Sequence, residues 1–245
     1  MQYIIPNWPA PPRIRAVVTT RYGGVSLSPY HTFNLAEHVG DNPIAVTKNR
    51  AILKATLQLP AEPLWLQQIH GCGVAIVGQD QCECTADAAV ANSAGQVCVV
   101  LTADCLPLLL CDQEGSTVAA IHAGWRGLAK GIIETTVRKL KVRPQQLLAW
   151  LGPAIGPTAF EVGHDVRDTF IAADSEAATA FQPSPRSPYA WLANIYTLAR
   201  LRLHQQGVTH ISGGEFCTVT DTERFFSYRR DGGITGRIAT LIWIA

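Results

Sequence analysis

The chain is a succession of short apolar runs separated by polar segments rich in Gly and Pro, and this pattern predicts many strands. Apolar runs bounded by turn-forming residues are typical of strands. The predicted strands span residues 14–20, 64–69, 74–77, 97–102, 106–111, 117–121, 147–151, 208–211 and 238–244. Because several of these runs are apolar throughout, we expect strands buried on both faces, with helices or a second sheet as cover.

Helical periodicity occurs in four other segments. The first helix is predicted to begin where Asn42 caps and Pro43 occupies the first turn, and to end before Pro60. The others are predicted over residues 128–140, 166–173 and 191–206, and the Pro- and Ser-rich stretch 182–189 is predicted to be a loop. No linker divides the chain. The predicted fold class is therefore α/β (α+β), a single domain over residues 1–245 with mixed β-sheets covered by α-helices.

The composition is that of a core-rich globular protein with little net charge. Of the 245 residues, 47% are hydrophobic and 16% are charged, against roughly 25% charged in ordinary soluble domains. The formal net charge is +1, and no basic run is longer than the pair Arg229 and Arg230. Nucleic-acid binding through phosphate neutralisation is therefore disfavoured.

Neither a membrane helix nor a secretory signal is predicted. The most apolar window, residues 97–111, has 15 residues and contains Asp104 and Pro107, so it is shorter than a bilayer span. The N-terminus lacks a basic start followed by an apolar stretch and a cleavage site. We therefore expect a cytoplasmic protein without membrane contact.

The cysteine pattern favours free thiols or metal ligands over a disulfide framework. The chain has seven Cys, an odd number, and no signal peptide is predicted. They are Cys72, Cys82, Cys84, Cys98, Cys105, Cys111 and Cys217. A second zinc site at Cys72, Cys82 and Cys84 is a minor alternative, since their spacing matches no metal-binding pattern known to us.

Three polar residues stand at the ends of predicted strands and form the main candidate site. They are His70, Cys105 and His122. Two imidazoles and a thiolate suit zinc, and three protein ligands leave a fourth position open, as in catalytic zinc sites. The spacing alone is a weak signal for a metal site, and by itself it favours two core histidines and an inert buried thiol.

The segments around His122 and Cys105 contain further candidate functional groups. IHAGWRG at residues 121–127 predicts a strand, a Gly-rich turn and a helix start, where backbone N–H groups and Arg126 would face phosphate or carboxylate. Asp104 directly precedes Cys105, so in an extended segment the two side chains point to opposite faces. Asp104 is thus either an orienting partner or a structural hydrogen bonder.

At this level of detail the chain resembles the YfiH family, whose members are also called laccase-domain or polyphenol oxidase proteins, purine nucleoside phosphorylases and peptidoglycan editing factors. The resemblance covers residues 19–237 in order. Its motifs are TTRYGGVSLSPYHTFNL, WLQQIHG, TADCLPLLL, IHAGWRG, LGPAIGPTAFEVG and FFSYRRDGGITGR. It implies a single-domain α/β sandwich and a zinc or copper site at His70, Cys105 and His122. It also implies phosphorolysis of adenosine, inosine and methylthioadenosine, with some adenosine deamination.

Of the activities that these family names describe, the residues of this chain favour phosphorolysis over laccase activity. A trinuclear copper cluster needs many His ligands, largely in H-x-H pairs, whereas this chain has seven His and no such pair. A blue-copper site would add an axial Met, and the only Met is Met1. For phosphorolysis, the turn with Arg126 is a candidate phosphate site.

Further residues receive candidate roles in the same reaction. Arg229, its neighbour Arg230, or Arg21 would share phosphate binding, and Gln68 would orient the base. Asp104 or Glu161 would be the proton shuttle.

Two other classes of function remain open. In the first, Cys105 is the nucleophile of a hydrolase or amidase, with His122 as base and Asp104 as orienter, acting on a cell-wall precursor. In the second, the protein binds ligands without turnover.

Overall fold

The computed structural model describes residues 1–79 and 84–245, and this part of the chain contains both strands and helices. The strands are β1 (Tyr3–Ile4), β2 (Ile14–Thr19), β3 (Val74–Ile76), β4 (Ala88–Ala91), β5 (Val97–Thr102), β6 (Leu106–Asp112), β7 (Val118–Ala123), β8 (Leu147–Leu151), β9 (Glu161–Gly163), β10 (Phe181–Pro183), β11 (Ala190–Ala193), β12 (His210–Gly213) and β13 (Ile238–Ile244). The α-helices are α1 (Pro43–Leu57), α2 (Trp125–Lys130), α3 (Ile132–Leu140), α4 (His164–Ala173) and α5 (Ile195–Gln205). Short 3-10 helices cover Pro144–Gln146 and Ser175–Ala180.

Two large sheets pack face to face. One is antiparallel, in the order β1-β2-β13-β5, and the other is mixed, in the order β12-β8-β6-β7-β4-β3. Side chains from both, such as Val100 and Ile242 of the first sheet and Leu109 and Trp150 of the second, form one buried cluster between them. A small antiparallel sheet, β10-β11-β9, completes the strands.

Helices cover the outer faces of both sheets. Leu106, Leu108 and Leu110 of β6 alternate with the inward-facing Leu109, and they pack in one cluster with residues of α2, α3 and α5. On the other side, Leu53 of α1 packs with the outward residues of β5 and β13. This arrangement explains the fully apolar strands and confirms the predicted fold class: an α/β structure of mixed sheets covered by helices. That residues 1–245 form one domain stays a prediction.

The strongest sequence signals match the observed elements. The strands predicted over 97–102, 147–151 and 238–244 have these bounds in the structure. Helix α1 begins as predicted, because the side chain of Asn42 accepts a hydrogen bond of 2.9 Å from the Ile44 backbone N–H. Among the described helices, none has the length and apolar run that crossing a membrane requires.

The predicted strand over 64–69 is wrong. Only isolated bridges, Leu64 with Cys98 and Gln67 with Thr85, occur there. The side-chain amide of Gln68 pairs with the backbone of Leu101, donating to its carbonyl and accepting from its N–H, both at 2.8 Å. A side chain therefore takes the place that a backbone ladder would occupy beside β5.

Two predicted helices have different bounds. The segment 128–140 is two helices that start earlier, at Trp125, and are separated at Gly131, whose φ is +92°. The segment 191–206 starts as strand β11 and becomes helical only at Ile195, where the side chain of Asn194 caps α5. Likewise, the loop predicted over 182–189 begins inside β10.

The break at Gly131 can be tested by substitution, because a continuous helix and a helix broken at Gly131 predict changes of opposite sign in the free energy of unfolding. In a continuous helix, Gly131→Ala would stabilise the protein. In this structure it places a Cβ on a left-handed backbone, so we expect the free energy of unfolding to fall by about 1 to 2 kcal/mol. Urea denaturation of the two proteins measures the difference.

A matched variant at the other end of α3 should respond in the opposite direction. Lys141 has a φ of +56°, so Lys141→Gly should relieve strain and raise the free energy of unfolding. An increase in stability on Gly131→Ala would contradict the observed break.

Candidate active site and metal centre

Three segments that are far apart in the sequence bring His70, Cys105 and His122 together. The nitrogen and sulfur atoms that these side chains can offer to a metal all lie within 4.8 Å of one another. Cys105 Sγ is 3.7 Å from His70 Nε2, and the two imidazole centroids are 4.7 Å apart. The structure thus places all three predicted ligands in one cluster.

Each ligand is positioned by its place in the sandwich. His122 lies within β7, opposite Pro107 of β6. Cys105 lies in the short connection by which the chain leaves β5 in one sheet and enters β6 in the other. His70 does not follow a strand, contrary to the prediction; it lies in a loop with a φ of +59°.

Asp87 connects the two histidines, and the sequence analysis missed it. Its Oδ1 lies 2.8 Å from His122 Nδ1 and accepts a 2.8 Å hydrogen bond from the His70 backbone N–H. Its Oδ2 accepts one of 2.6 Å from the Gly71 N–H. Burial acts to raise the pKa of this carboxyl, but the hydrogen bonds from His122 and Gly71 outweigh it and lower the pKa. The available signal was a lone acid directly before the apolar strand β4.

The residues present fit a metal ion. Because His122 Nδ1 faces Asp87, its Nε2 is left for a ligand. Gly124 lets the backbone approach the cluster: a Cβ there would lie 2.9 Å from Cys105 Sγ and 3.0 Å from His70 Cδ2. Two imidazoles and one thiolate are a zinc donor set with one position left open.

The electrostatics favour the thiolate form of Cys105, which is the form that binds metals. Burial acts to raise the pKa of the thiol, but the charge and hydrogen bonding of His122 and His70 lower it to about 6. Conversely, burial acts to lower the pKa of His122, but Cys105 and Asp87 raise it to about 9. Both shifts act in the direction that favours a thiolate beside an imidazolium.

A cavity of about 380 Å³ opens above the cluster. The lining side chains form two sets that lie against each other, one aromatic or aliphatic and one cationic: the guanidinium carbons of Arg126, Arg229 and Arg237 are 4.6, 6.0 and 5.7 Å from the ring centroids of Trp125, Phe160 and Tyr228. The first set is Leu101, Trp125, Ile155, Phe160, Ile195 and Tyr228. The cationic set is Arg126, Arg229 and Arg237. An apolar pocket with a few convergent polar groups is typical of small-molecule sites.

Two predicted substrate residues are engaged in hydrogen bonds within the protein. Gln68 lines the cavity, and each end of its amide makes one hydrogen bond to Leu101, so its predicted role in orienting a base would fall to the remaining N–H and lone pair. Arg21 lies outside the lining of the cavity and donates to the carbonyls of His31 and Thr222. Its predicted phosphate role stays a prediction.

The predicted acids also have partners. Asp104 accepts hydrogen bonds from the hydroxyls of Thr218 (2.6 Å) and Ser227 (3.0 Å), and from the Arg229 N–H (2.6 Å). These bonds fit the structural role, since they anchor the loop after β12, although Asp104 also lines the cavity. Glu161 accepts a short hydrogen bond from Ser184 and is not part of the cavity lining. A proton shuttle at Asp104 or Glu161 stays a prediction.

Arg126 and Arg229 do reach the cavity, and Arg237 and His38 join them. Arg126 is exposed, with its guanidinium carbon 4.6 Å from the ring centroid of Trp125. Arg237, which sequence reasoning overlooked, lies in the last quoted motif, FFSYRRDGGITGR. Burial and then the charges of Arg237 and Arg50 lower the pKa of His38, which favours its neutral form.

A second metal cluster is not supported by the residues that the structure describes. Cys72 and Cys84 pack against different core clusters, and Cys82 lies outside the described residues. In residues 1–79 and 84–245, His70, Cys105 and His122 form the only group of three such side chains close enough to share an ion.

Comparison with known proteins places the chain in a family. Residues 15–245 match the family model described as multi-copper polyphenol oxidoreductase laccase. The chain is 53% identical to a purine nucleoside phosphorylase of Pseudomonas aeruginosa, covering 99% of this chain and 98% of that one. It is 51% identical to the purine nucleoside phosphorylase YfiH of Escherichia coli, covering 98% of each. The chain belongs to the YfiH family.

Solved YfiH-family structures have the same fold. The crystal structure of a Neisseria meningitidis protein superimposes with a TM-score of 0.93 at 46% identity, covering 100% of this chain and 99% of that one. YlmD from Geobacillus stearothermophilus gives 0.88 at 30% identity, covering 95% and 92%. Although the family model is described as multi-copper, the described residues of this YfiH-family chain provide ligands for one ion.

The position of Asp87 predicts a specific loss of metal affinity. Asp87→Asn removes a charge-assisted partner from His122, so we expect zinc affinity to fall by about 10- to 100-fold. Competition against a chromophoric chelator measures this change.

Asp112→Asn is the matched control. Asp112 is a buried carboxylate that likewise accepts several hydrogen bonds, from Ser116 and Thr117, but it lies at the far end of β6. It should affect stability and leave zinc affinity unchanged. Equal affinities for Asp87→Asn and the unmodified protein would show that Asp87 does not position the ligands.

Proposed function

We propose that this protein is a zinc-dependent purine nucleoside phosphorylase. Its substrates are adenosine, inosine and methylthioadenosine together with inorganic phosphate, and adenosine deamination is a side activity. The observation that carries the proposal is the His70, Cys105 and His122 cluster beneath a cavity with both aromatic and cationic walls. The names of the Pseudomonas and Escherichia relatives support the same reaction.

The chemistry requires two substrates to meet in one orientation. A phosphate oxygen forms a bond to C1′ of the ribose, while the bond from C1′ to the base nitrogen breaks and its electron pair stays with the base. A proton taken up by the base completes the reaction, which yields free purine and ribose 1-phosphate, or its methylthio analogue when methylthioadenosine is the substrate. Zinc held by His70, Cys105 and His122 would supply a Lewis acid at the floor of the cavity.

The chain's own residues serve binding and orientation. The rings of Trp125, Phe160 and Tyr228 offer apolar surface to a purine. Arg126 and Arg229 contribute positive charge for phosphate. By holding both substrates together, such a cavity would lower the entropic part of the barrier.

Release of free base tests this function directly. We expect hypoxanthine from inosine, and adenine from adenosine, only when zinc-loaded protein and phosphate are both present, with loss of the activity on chelation. Cys105→Ala and His122→Ala should each reduce turnover by more than about 100-fold, because each removes a metal ligand. Liquid chromatography of the products measures the rates.

Cys98→Ala is the control for loss of a thiol. Cys98 is fully buried within β5 and does not line the cavity, so this variant should retain turnover. Base release without phosphate, or undiminished activity of Cys105→Ala, would contradict the proposal.

One observation favours a second candidate, a cysteine hydrolase. Cys105, His122 and Asp87 form a series of nucleophile, base and orienter, in which Asp87 replaces the predicted Asp104. Hydrolysis of an amide by this series would survive chelation and be abolished by iodoacetamide. The phosphorylase would instead lose activity on chelation and regain it with zinc.

A further inference from the structure

Arg237 differs from the other arginines of the cavity, Arg126 and Arg229, in being withdrawn from solvent while it lacks a counter-ion. It is half-buried, and no carboxylate lies within ion-pair distance of it among the described residues. Burial lowers the pKa of its guanidinium. A cation withdrawn from water is costly unless an anion or strong acceptors replace the lost hydration.

The guanidinium is fixed in place but incompletely bonded. Nη1 donates to the carbonyls of Thr235 (2.7 Å) and Gly236 (3.0 Å). The Arg237 backbone N–H donates to Oδ1 of the buried Asn34, which fixes the start of β13. These contacts hold Nη1 and the backbone, and leave the donors on Nε and Nη2 for a ligand.

The thiol and the carboxyl group that influence Arg237 are committed elsewhere, and the other two influencing groups are the phenols of Tyr228 and Tyr30. The thiol is that of Cys105, which faces His70 and His122. The carboxyl group is that of Asp104, whose oxygens are bonded to Thr218, Ser227 and Arg229. His38, which lines the same cavity, is neutral or cationic in either protonation state and so offers no counter-charge.

The remaining two cavity arginines are less suited to hold an anion. Arg229 already donates to the carbonyls of Ala159 (3.4 Å) and Glu161 (3.1 Å) through Nη1 and Nη2. Arg126 is exposed, so water screens its charge. A partly desolvated guanidinium with free donors binds an oxyanion more strongly than either.

We propose that Arg237 is the principal phosphate anchor of the cavity, binding oxygens of inorganic phosphate through its Nε and Nη2 donors. This assignment deepens the proposed phosphorylase function and rests on it for the identity of the anion. The anion itself supplies the counter-charge that the buried guanidinium lacks. Arg126 and Arg229 then contribute longer-range positive potential.

The test combines direct binding with kinetics. The variant Arg237→Met keeps the length and apolar character of the stem and removes the charge. Thermal unfolding of the purified protein is followed with and without inorganic phosphate, because a ligand that binds the folded state raises Tm. We expect the phosphate-induced rise in Tm to disappear. We also expect the KM for phosphate to rise by about 10- to 100-fold while the KM for inosine stays unchanged.

Arg200→Met is the matched control. Arg200 is also half-buried and donates to two backbone carbonyls, those of Ile211 and Gly213, but it does not line the cavity. Its phosphate response should equal that of the unmodified protein. Arg237→Lys should give an intermediate KM for phosphate, since the charge is kept and the planar donor geometry is lost.

The outcomes distinguish a failure of the phosphate-anchor assignment from a failure of the proposed phosphorylase function. An unchanged phosphate-induced rise in Tm in Arg237→Met would overturn the assignment, as would an equal loss in Arg200→Met. A rise in the KM for inosine instead of phosphate would also overturn it. If the unmodified protein releases no base, the proposed function fails, while the thermal measurement still decides whether Arg237 binds phosphate.

Discussion

The carboxylate of Asp87 holds the site together. It is fully buried and accepts hydrogen bonds from the His122 ring and from the backbone N–H groups of His70 and Gly71. A buried carboxylate is tolerated only when such donors surround it. The same contacts join strand β7 to the loop that precedes β3, so the relative position of the two histidines follows from satisfying a single charge.

The sandwich supplies the third ligand and the space for it. Cys105 lies where the chain passes from one sheet to the other, so its position is set by the packing of both. Gly124 completes the arrangement, since any side chain there would collide with the thiol. A soft ligand set is thus held by rigid strand ends and a tight turn, which favours a fixed coordination geometry.

Charge in the cavity is distributed in a way that suits an anionic substrate. The acids near it are engaged: Asp87 with the histidines, and Asp104 with the loop that carries Ser227 and Arg229. Arg126 and Arg237 have no carboxylate partner among the described residues. The positive potential is therefore left for a ligand, while the aromatic rings beside these arginines provide a surface for an apolar ring system.

Local patterns in the chain were sufficient for most of the buried strands and for the capped helix α1, because burial and capping depend on residue type and near neighbours. The candidate ligands His70, Cys105 and His122 were a weak signal from spacing alone and rest on the resemblance to the YfiH family as well. Contacts made across long sequence separations were not predictable in this way. Gln68 pairs with Leu101, 33 residues away, and the break at Gly131 divides a segment with helical periodicity.

The same distinction holds within the site. The sequence identified His70, Cys105 and His122 but not Asp87, which lies 35 residues from His122 along the chain. Arg21 and Arg237 look alike as residues, yet one binds backbone carbonyls outside the cavity and the other lines its wall. Whether a polar side chain meets a partner or a ligand depends on which groups folding brings beside it, because hydrogen bonds act only over about 3 Å.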